Sequence, residues 1–190
     1  MVLDPPLRMA TEADAPVLAA LVNEASHGLA LHAWRTKVEP GGDPWSIGIA
    51  QQSARAQDGR WVVVDEGGGP VAGLMVLRPA VDAWPPNLSP IFRPMLELEA
   101  LAADALYVNV VATLPEVRGR GHGTRLLQLA DDIARVEGRP RLSLIVADAN
   151  DGARRLYART GYRLHASRPM LKAGWDGPGS EWLLLVKDLA

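Results

Sequence analysis

Short apolar runs punctuate the chain and carry the clearest structural signal in its sequence. Trp61 to Asp65 and Val71 to Leu77 flank the glycine-rich segment Glu66 to Pro70, so they are predicted to pair as a β-hairpin. Leu106 to Ala112 and Leu142 to Ala147 are almost wholly apolar, which is typical of central strands covered on both faces. Three further strands are predicted at Leu7 to Ala10, Tyr162 to Ala166 and Leu183 to Asp188.

Between these strands, apolar residues recur at the spacing of amphipathic helices. Thr124 to Glu137 carries one apolar stripe and ends at Gly138, and Asp148 or Asn150 caps a second helix that reaches Thr160. Three more helical segments are predicted, one from Val17 that closes at Gly28, one over Ile47 to Gln57 and one over Met95 to Ala103.

The predicted order of elements is β-α-α-β-β-(α)-β-α-β-α-β-β. Helices that alternate with a mixed sheet predict an α/β or α+β domain of three layers. The length of 190 residues fits one domain, covering residues 1–190. Two predicted loops are long, Trp34 to Pro44 and the proline-rich stretch Pro79 to Pro94, and a loop as long as the second is often functional.

The amino-acid composition of the chain argues against several classes of function. The net charge of -2 and the absence of a lysine- or arginine-rich block argue against a nucleic-acid partner. The chain has no cysteine, which excludes disulfides, thiolate metal sites and a cysteine nucleophile. His27 and His32 are five residues apart, off the spacing of a helical metal pair, so no metal is expected. With neither a signal peptide nor a membrane-length apolar run, we predict a cytoplasmic protein without a membrane partner.

The segment Arg118-Gly-Arg-Gly-His-Gly123 is the sharpest candidate for chemistry. It lies between a predicted buried strand and an amphipathic helix. Its glycines let the backbone approach a ligand closely, and the helix start presents unpaired N–H groups and a positive dipole end. Arg118 and Arg120 add positive charge. Together these features predict an anion site suited to a pyrophosphate.

Three kinds of phosphate-binding loop have patterns that could match this segment. A Walker loop needs Gly-Lys-Ser/Thr at its end, and no lysine is present here. A dinucleotide fingerprint that begins at Gly119 would place its third glycine where Thr124 stands, and the preceding elements are in the wrong order. The pattern Q/R-x-x-G-x-G/A is filled by Arg118, Gly121 and Gly123, with Gly119 as an extra glycine.

That pattern, together with a second segment, resembles the GNAT superfamily of acetyltransferases. The stretch from Asn150 to Tyr162 is similar to the family signature N-x-x-A-x-x-L-Y-x-x-x-G-F/Y, matched at Asn150, Ala153, Leu156, Tyr157, Gly161 and Tyr162. The resemblance is closest over residues 105–166 and looser from Leu7 to Leu189. It implies a three-layer GNAT-like fold, with a mixed, mostly antiparallel twisted sheet, splayed central strands and helices on both faces.

The resemblance also implies an acetyl-CoA-dependent N-acetyltransferase. The pyrophosphate would bind the N–H groups of residues 119–124, and the pantetheine arm would lie along strand 106–112. The residues expected to bind the cofactor are Val110, Val111, Ala112, Arg118, Gly119, Arg120, Gly121, His122, Gly123, Thr124, Asn150, Ala153 and Tyr157. An N–H near Val110 or Val111 would stabilise the oxyanion, and Tyr157 would protonate the departing thiolate. The alternative for Tyr157 is core packing.

The general base has several candidates. Some family members place a glutamate at the start of the fourth strand, where this chain has Ala105, which cannot act as a base. The candidates are Glu97 and Glu99, with Glu99 favoured because it is nearer the strand. On a strand the two would share a face, whereas on a helix they would point about 200° apart, so only one could enter the site. Tyr107, Asn109 or a water chain stay open as routes for the proton.

The predicted acceptor is the primary amine of a small molecule. Tyr107 and Asn109 share the strand face of Ala105, and Trp34 and Trp84 lie in predicted loops, so all four are candidates for the acceptor pocket. A protein N-terminus or a lysine is the alternative acceptor. A non-catalytic acyl-CoA-binding regulatory domain is the alternative of another class. Homodimerisation and a longer acyl group are also open.

Overall fold

A computed structural model describes residues 2–78 and 89–189 of the chain. The strands are β1 (Leu7–Met9), β2 (Trp61–Asp65), β3 (Pro70–Leu77), β4 (Leu106–Thr113), β5 (Arg141–Ala147), β6 (Arg163–Pro169) and β7 (Glu181–Asp188). The helices are α1 (Ala15–Ala25), α2 (Leu29–Arg35), α3 (Pro44–Gln57), α4 (Arg93–Ala100), α5 (His122–Val136) and α6 (Asp151–Arg159). The strand order is β1-β2-β3-β4-β5-β7-β6, and β4 with β5 is a parallel pair.

The chain divides into two compact units. The first comprises Met1–Met75 and Val110–Leu126, and the second comprises Val76–Asn109 and Leu127–Ala190. Strands β3 and β4 and helix α5 therefore each contribute residues to both units. Whether the chain acts as one domain stays a prediction.

In the first unit, an antiparallel ladder of β1, β2 and β3 is built around Trp61. This side chain is fully buried, and its Nε1 donates to Gln52 Oε1 of α3 at 3.2 Å. Across the ladder Trp61 lies opposite Met75, which is also fully buried. Full burial of a large apolar side chain contributes about 1.5–3 kcal/mol to folding. A Cβ at Gly73 would lie 2.9 Å from the Trp61 ring, so the strand needs glycine there.

In the second unit, β5 pairs with β7 along its whole length, from Arg141 opposite Asp188 to Ala147 opposite Trp182. Strand β6 pairs with the other side of β7 and carries an irregularity between Leu164 and Ala166. Helix α4 packs against these three strands and buries Leu98 completely. The described β4–β5 register is short, with Leu106 opposite Leu142 and Tyr107 opposite Ser143.

All seven predicted strands and all five predicted helices are present in the structure, the helices with shifted ends, and α2 is a further helix that was not predicted. Trp34 was expected in a loop, and it lies in α2 instead, where it is 3 % exposed. Its ring packs on Gly48, where a Cβ would come within 2.5 Å of it, and its Nε1 donates to Gln51 Oε1. This helix of seven residues depends on packing against α3, which a local pattern does not reveal.

Two further placements concern the predicted loops. Helix α3 begins at Pro44, three residues before the predicted start at Ile47, so Trp45 lies in its first turn. Trp84 lies outside the described residues.

Within the ranges that the structure describes, no helix is both long enough and apolar enough to span a membrane.

Candidate active site

The glycine-rich loop of the first unit has the backbone of an anion cradle. Gly119 and Gly121 have φ values of 80° and 88°, in the left-handed region that favours glycine. A Cβ at either position would meet nothing within 4 Å, so the space beside them is open. Helix α5 begins at His122, two residues before the predicted start at Thr124. The first N–H groups of the helix therefore belong to the loop motif itself.

The cationic side chains of this loop face carboxylates of the same unit. Arg118 Nη2 pairs with Glu24 Oε1 of α1, and Arg120 Nη1 lies 3.7 Å from Glu66 Oε2 in the β2–β3 turn. His122 is 8 % exposed, and its Nε2 lies 3.5 Å from Glu66 Oε1 without forming a hydrogen bond. A phosphate group that binds here would compete with both glutamates.

The adjoining part of β4 belongs to the same unit. Val110 and Ala112 are buried, whereas Val111 between them is partly exposed, as the strand period requires. Beyond the strand, the Leu114 N–H donates to the Val71 carbonyl at 2.9 Å.

In the second unit, Asn150 forms the predicted cap of α6. Its Oδ1 accepts from the Ala153 N–H at 3.1 Å, which satisfies one of the free donors at the helix start. Tyr157 follows on the same helix, 8 % exposed, with its ring 5.9 Å from that of Tyr162. Burial raises the pKa of Tyr157 to about 12. The phenol therefore keeps its proton at neutral pH and is available as a donor.

Glu97 and Glu99 lie on α4, as predicted, and they point in different directions. Glu97 Oε2 accepts from Arg168 Nε of β6 at 3.2 Å, and both side chains are 39 % exposed. Burial raises the pKa of Glu99 to about 7, and a hydrogen bond with Tyr107 partly opposes this shift. Glu99 is therefore the carboxyl group whose pKa suits general base catalysis near neutral pH.

Tyr107 joins the two other polar residues of this region. It is 5 % exposed, and besides burial its pKa responds to the neighbouring side chains of Glu99 and Asn109. Burial, followed by the charge of Glu99, raises its pKa well above the usual range, and Tyr157 adds to this effect. Four of the predicted site residues therefore belong to the second unit: Glu99, Tyr107, Asn109 and Tyr157. Glu97 of the same unit contacts Arg168 instead. Trp34 belongs to the first unit.

Sequence reasoning did not find several polar and aromatic partners. Glu24 and Glu66 are far along the chain from the loop they contact, and nothing local marks them. Trp175 and Trp182 stack with ring centroids 5.9 Å apart and planes 7° apart, and Lys172 Nζ lies 4.6 Å from the Trp175 ring. This stack braces the segment that links β6 to β7.

Comparison with known proteins identifies the protein family of the chain. Residues 27–162 match the model of the acetyltransferase (GNAT) family. This match covers more than half of the chain, which therefore belongs to the GNAT acetyltransferase family and is an N-acetyltransferase enzyme. No curated protein matches the chain.

Solved structures agree at the level of the fold. A structure described as an acetyltransferase shares 18 % identity with a TM-score of 0.66, covering 97 % of this chain and 99 % of the other. A ribosomal-protein-alanine N-acetyltransferase from Brucella melitensis shares 23 % identity with a TM-score of 0.63, covering 96 % and 99 %. A putative acetyltransferase from Salmonella typhimurium, solved with acetyl-CoA, shares 22 % with a TM-score of 0.62, covering 97 % and 93 %. The predicted GNAT-like fold is confirmed.

Proposed function

We propose that this enzyme transfers the acetyl group of acetyl-CoA directly to the primary amine of a small molecule. One observation carries the proposal. The second unit holds a partly buried carboxyl group with a pKa of about 7 and a buried phenol that keeps its proton. Direct transfer needs one group to accept the proton of the amine and another to protonate the leaving thiolate.

The first unit supplies the features that suit the cosubstrate. The space beside Gly119 and Gly121 is open for the pyrophosphate, the start of α5 at His122 supplies N–H groups, and Arg118 and Arg120 add charge. The buried His122 Nε2 has no hydrogen-bond partner among the described residues, so a phosphate oxygen can satisfy it. The main chain of Val110, Val111 and Ala112 is assigned to the pantetheine arm, and Asn150 and Ala153 are assigned to the cofactor through the family signature.

The proposed reaction is a single displacement. The amine nitrogen attacks the thioester carbonyl carbon, and the C–S bond breaks as the C–N bond forms. A β4 N–H near Val110 or Val111 stabilises the oxyanion. The departing thiolate takes the proton of Tyr157, and the proton of the amine reaches Glu99.

The acceptor side favours an amine because Glu99 can both hold an ammonium group by charge and accept its proton. A protein N-terminus or a lysine has the same reacting group and is the alternative acceptor. Acetyl as the preferred acyl group, homodimerisation and the absence of a metal stay predictions.

A thiol-release assay over a panel of amines and peptides tests the function. The protein should release free thiol from acetyl-CoA with small amines and not require a peptide. Tyr157→Phe should lower kcat by about 10²–10⁴-fold, because it removes a positioned acid. Turnover only with peptides would move the acceptor to proteins. Tight binding of acetyl-CoA without turnover would indicate a non-catalytic binding domain. An unchanged kcat in Tyr157→Phe would indicate that Tyr157 serves core packing and not catalysis.

A further inference from the structure

A cavity of about 350 Å³ opens on the second unit, at the edge of the sheet that β6 forms. Three neighbouring strands supply its charged lining: Arg141 from β5, Asp188 from β7, and Arg163 with His165 from β6. Its volume lies at the lower end of the range for small-molecule sites, about 300–1,000 Å³. None of these four residues has a place in the proposed reaction, so their arrangement calls for its own explanation.

The strand register places three of these side chains on one face of the sheet. Arg141 lies directly opposite Asp188. Arg163 lies directly opposite Val186, two residues before Asp188 on β7. Residues that lie directly opposite each other in an antiparallel pair share a face, and so do residues two apart on one strand. Arg141, Asp188 and Arg163 therefore project from the same face.

His165 stands at a shift of register between β6 and β7. Leu164 and Ala166 pair with consecutive residues of β7, so His165 between them has no residue opposite it. This is the pattern of a β-bulge, in which an extra residue bends the strand and redirects a side chain. Bulges are over-represented next to active sites, and this one lies in the wall of the cavity.

The charges of the lining divide between the two sides of the cavity. On the β5 side, Arg141 Nε donates to Asp104 Oδ2 at 3.0 Å. The hydrogen bond to Asp104 raises the pKa of Arg141, and the charges of Asp104 and Asp188 add to this effect. Two carboxylates thus act on one guanidinium, which leaves this side with a net negative charge. On the β6 side, Arg163 and His165 form no ion pair within the part of the chain that the structure describes.

The opposite charges of Arg163 and Asp188 do not neutralise each other directly. They are diagonal neighbours across the β6–β7 ladder, yet no ion pair joins them among residues 89–189. Diagonal neighbours of this kind lie about 7–8 Å apart. The cavity therefore presents a cation and an anion with space between them for a small group.

We propose that this cavity binds a free α-amino acid. The carboxylate of the ligand accepts hydrogen bonds from the guanidinium fork of Arg163, with His165 beside it, and the ammonium group lies against Asp188. A ligand with only a negative charge meets Asp188 without a partner, and one with only a positive charge meets Arg163 in the same way. The site goes beyond the proposed function, because it requires neither acetyl-CoA nor acetyl transfer.

Three related probes test the site on the wild-type protein. L-alanine carries both charges, N-acetyl-L-alanine keeps only the carboxylate, and L-alaninamide keeps only the ammonium group. Each would be titrated without acetyl-CoA while NMR follows the ring protons of the four histidines. His165 belongs to the second unit, whereas His27, His32 and His122 belong to the first, and His165→Gln assigns its signals.

We expect L-alanine to shift the His165 signals and to saturate in the millimolar range. The two derivatives should each bind at least about 10-fold more weakly, because each leaves one charge of the cavity without a partner. No shift of the His165 signals with L-alanine would overturn the proposal. Equally tight binding of either derivative would also overturn it.

Substitutions locate the binding at the cavity. Arg163→Gln and Asp188→Asn each remove one charge from an exposed side chain, and each should weaken L-alanine binding by about 10-fold or more. The matched controls are Arg159→Gln and Asp176→Asn, which remove the same charges from exposed positions outside this lining and should keep the affinity. Unchanged affinity in both test variants, or an equal loss in the controls, would contradict the site. The wild-type titration decides if a variant does not fold.

The outcomes keep this site distinct from the acetyl acceptor. L-alanine that bound only at the proposed acceptor region would leave the His165 signals in place, which would overturn the cavity site and leave the acetyltransferase intact. A saturable His165 shift that depends on Arg163 and Asp188 would support the cavity site, even if no amine or peptide of the panel were acetylated.

Discussion

Glu99 is a residue whose proposed role conflicts with the stability of the fold. Burial raises its pKa to about 7, above the usual glutamate value of 4.5. The folded protein therefore binds more protons than the unfolded chain between these two pH values, and stability falls as the pH rises through that window. Above about pH 7 the carboxylate costs up to about 3 kcal/mol, at 1.36 kcal/mol for each pKa unit.

Glu99→Gln should consequently stabilise the protein at alkaline pH. The glutamine amide oxygen can still accept a hydrogen bond from Tyr107, and the substitution removes the buried charge. At pH 8 we expect Tm to rise by several degrees, and at pH 4.5 almost no change, measured by calorimetry. Glu97→Gln is the control, since it loses the Arg168 pair and should gain nothing at either pH. An equal or lower Tm for Glu99→Gln at pH 8 would contradict this account of the residue.

At the scale of single residues, the sequence predicted the directions of side chains where helix geometry determines them. The spacing of Glu97 and Glu99 predicted that a helix would separate them, and the structure turns Glu97 to Arg168 and Glu99 to Tyr107. The link from Tyr107 to Glu99 was not predictable, because it depends on how α4 packs against the sheet. The catalytic roles of all these residues stay predictions.

At the scale of elements, the glycine-rich loop and the start of α5 form one site whose charges are balanced within the first unit. Glu24 of α1 and Glu66 of the β2–β3 turn face Arg118, Arg120 and His122. Exposed ion pairs of this kind contribute about 0–1 kcal/mol each, so they would modulate cosubstrate affinity without deciding it.

Neutralising either glutamate should tighten the binding of acetyl-CoA. Glu24→Gln and Glu66→Gln free the cations of the loop and remove a negative charge near the phosphates. Each should lower Kd by about 2–5-fold at low ionic strength, the equivalent of up to about 1 kcal/mol, with a smaller effect in high salt. Titration calorimetry measures this directly. Glu39→Gln, an exposed site of the same unit, is the control, and unchanged or weaker binding in the two test variants would refute the competition.

The elements themselves were predicted best where the local pattern dictates the structure. The central strands were found because buried strands are continuous apolar runs, and α6 was found from its Asn150 cap. Helix α2 was missed, since its stability comes from Trp34 packing on Gly48 of α3. Pairs such as Arg118 with Glu24 join residues 94 positions apart, which no local pattern encodes.

At the scale of the whole molecule, family membership and fold rest on independent grounds. The family match spans residues 27–162, and the solved structures share the fold at 18–23 % identity over nearly the whole chain. The two units carry different parts of the proposed function. The loop and the second half of β4 belong to the first unit, and Glu99, Tyr107 and Tyr157 belong to the second.

The central claim is that residues 118–124 hold acetyl-CoA, and thermal unfolding with and without acetyl-CoA tests it most directly. A ligand at about 100 times its Kd adds about 2.7 kcal/mol of stability, which for a chain of this size raises Tm by about 5–10 °C. Gly121→Glu should abolish this shift, because its carboxylate enters the phosphate cradle. Gly41→Glu, at a comparable positive φ with open space around it, should keep the shift. A wild-type protein whose Tm does not change at millimolar acetyl-CoA would contradict the account.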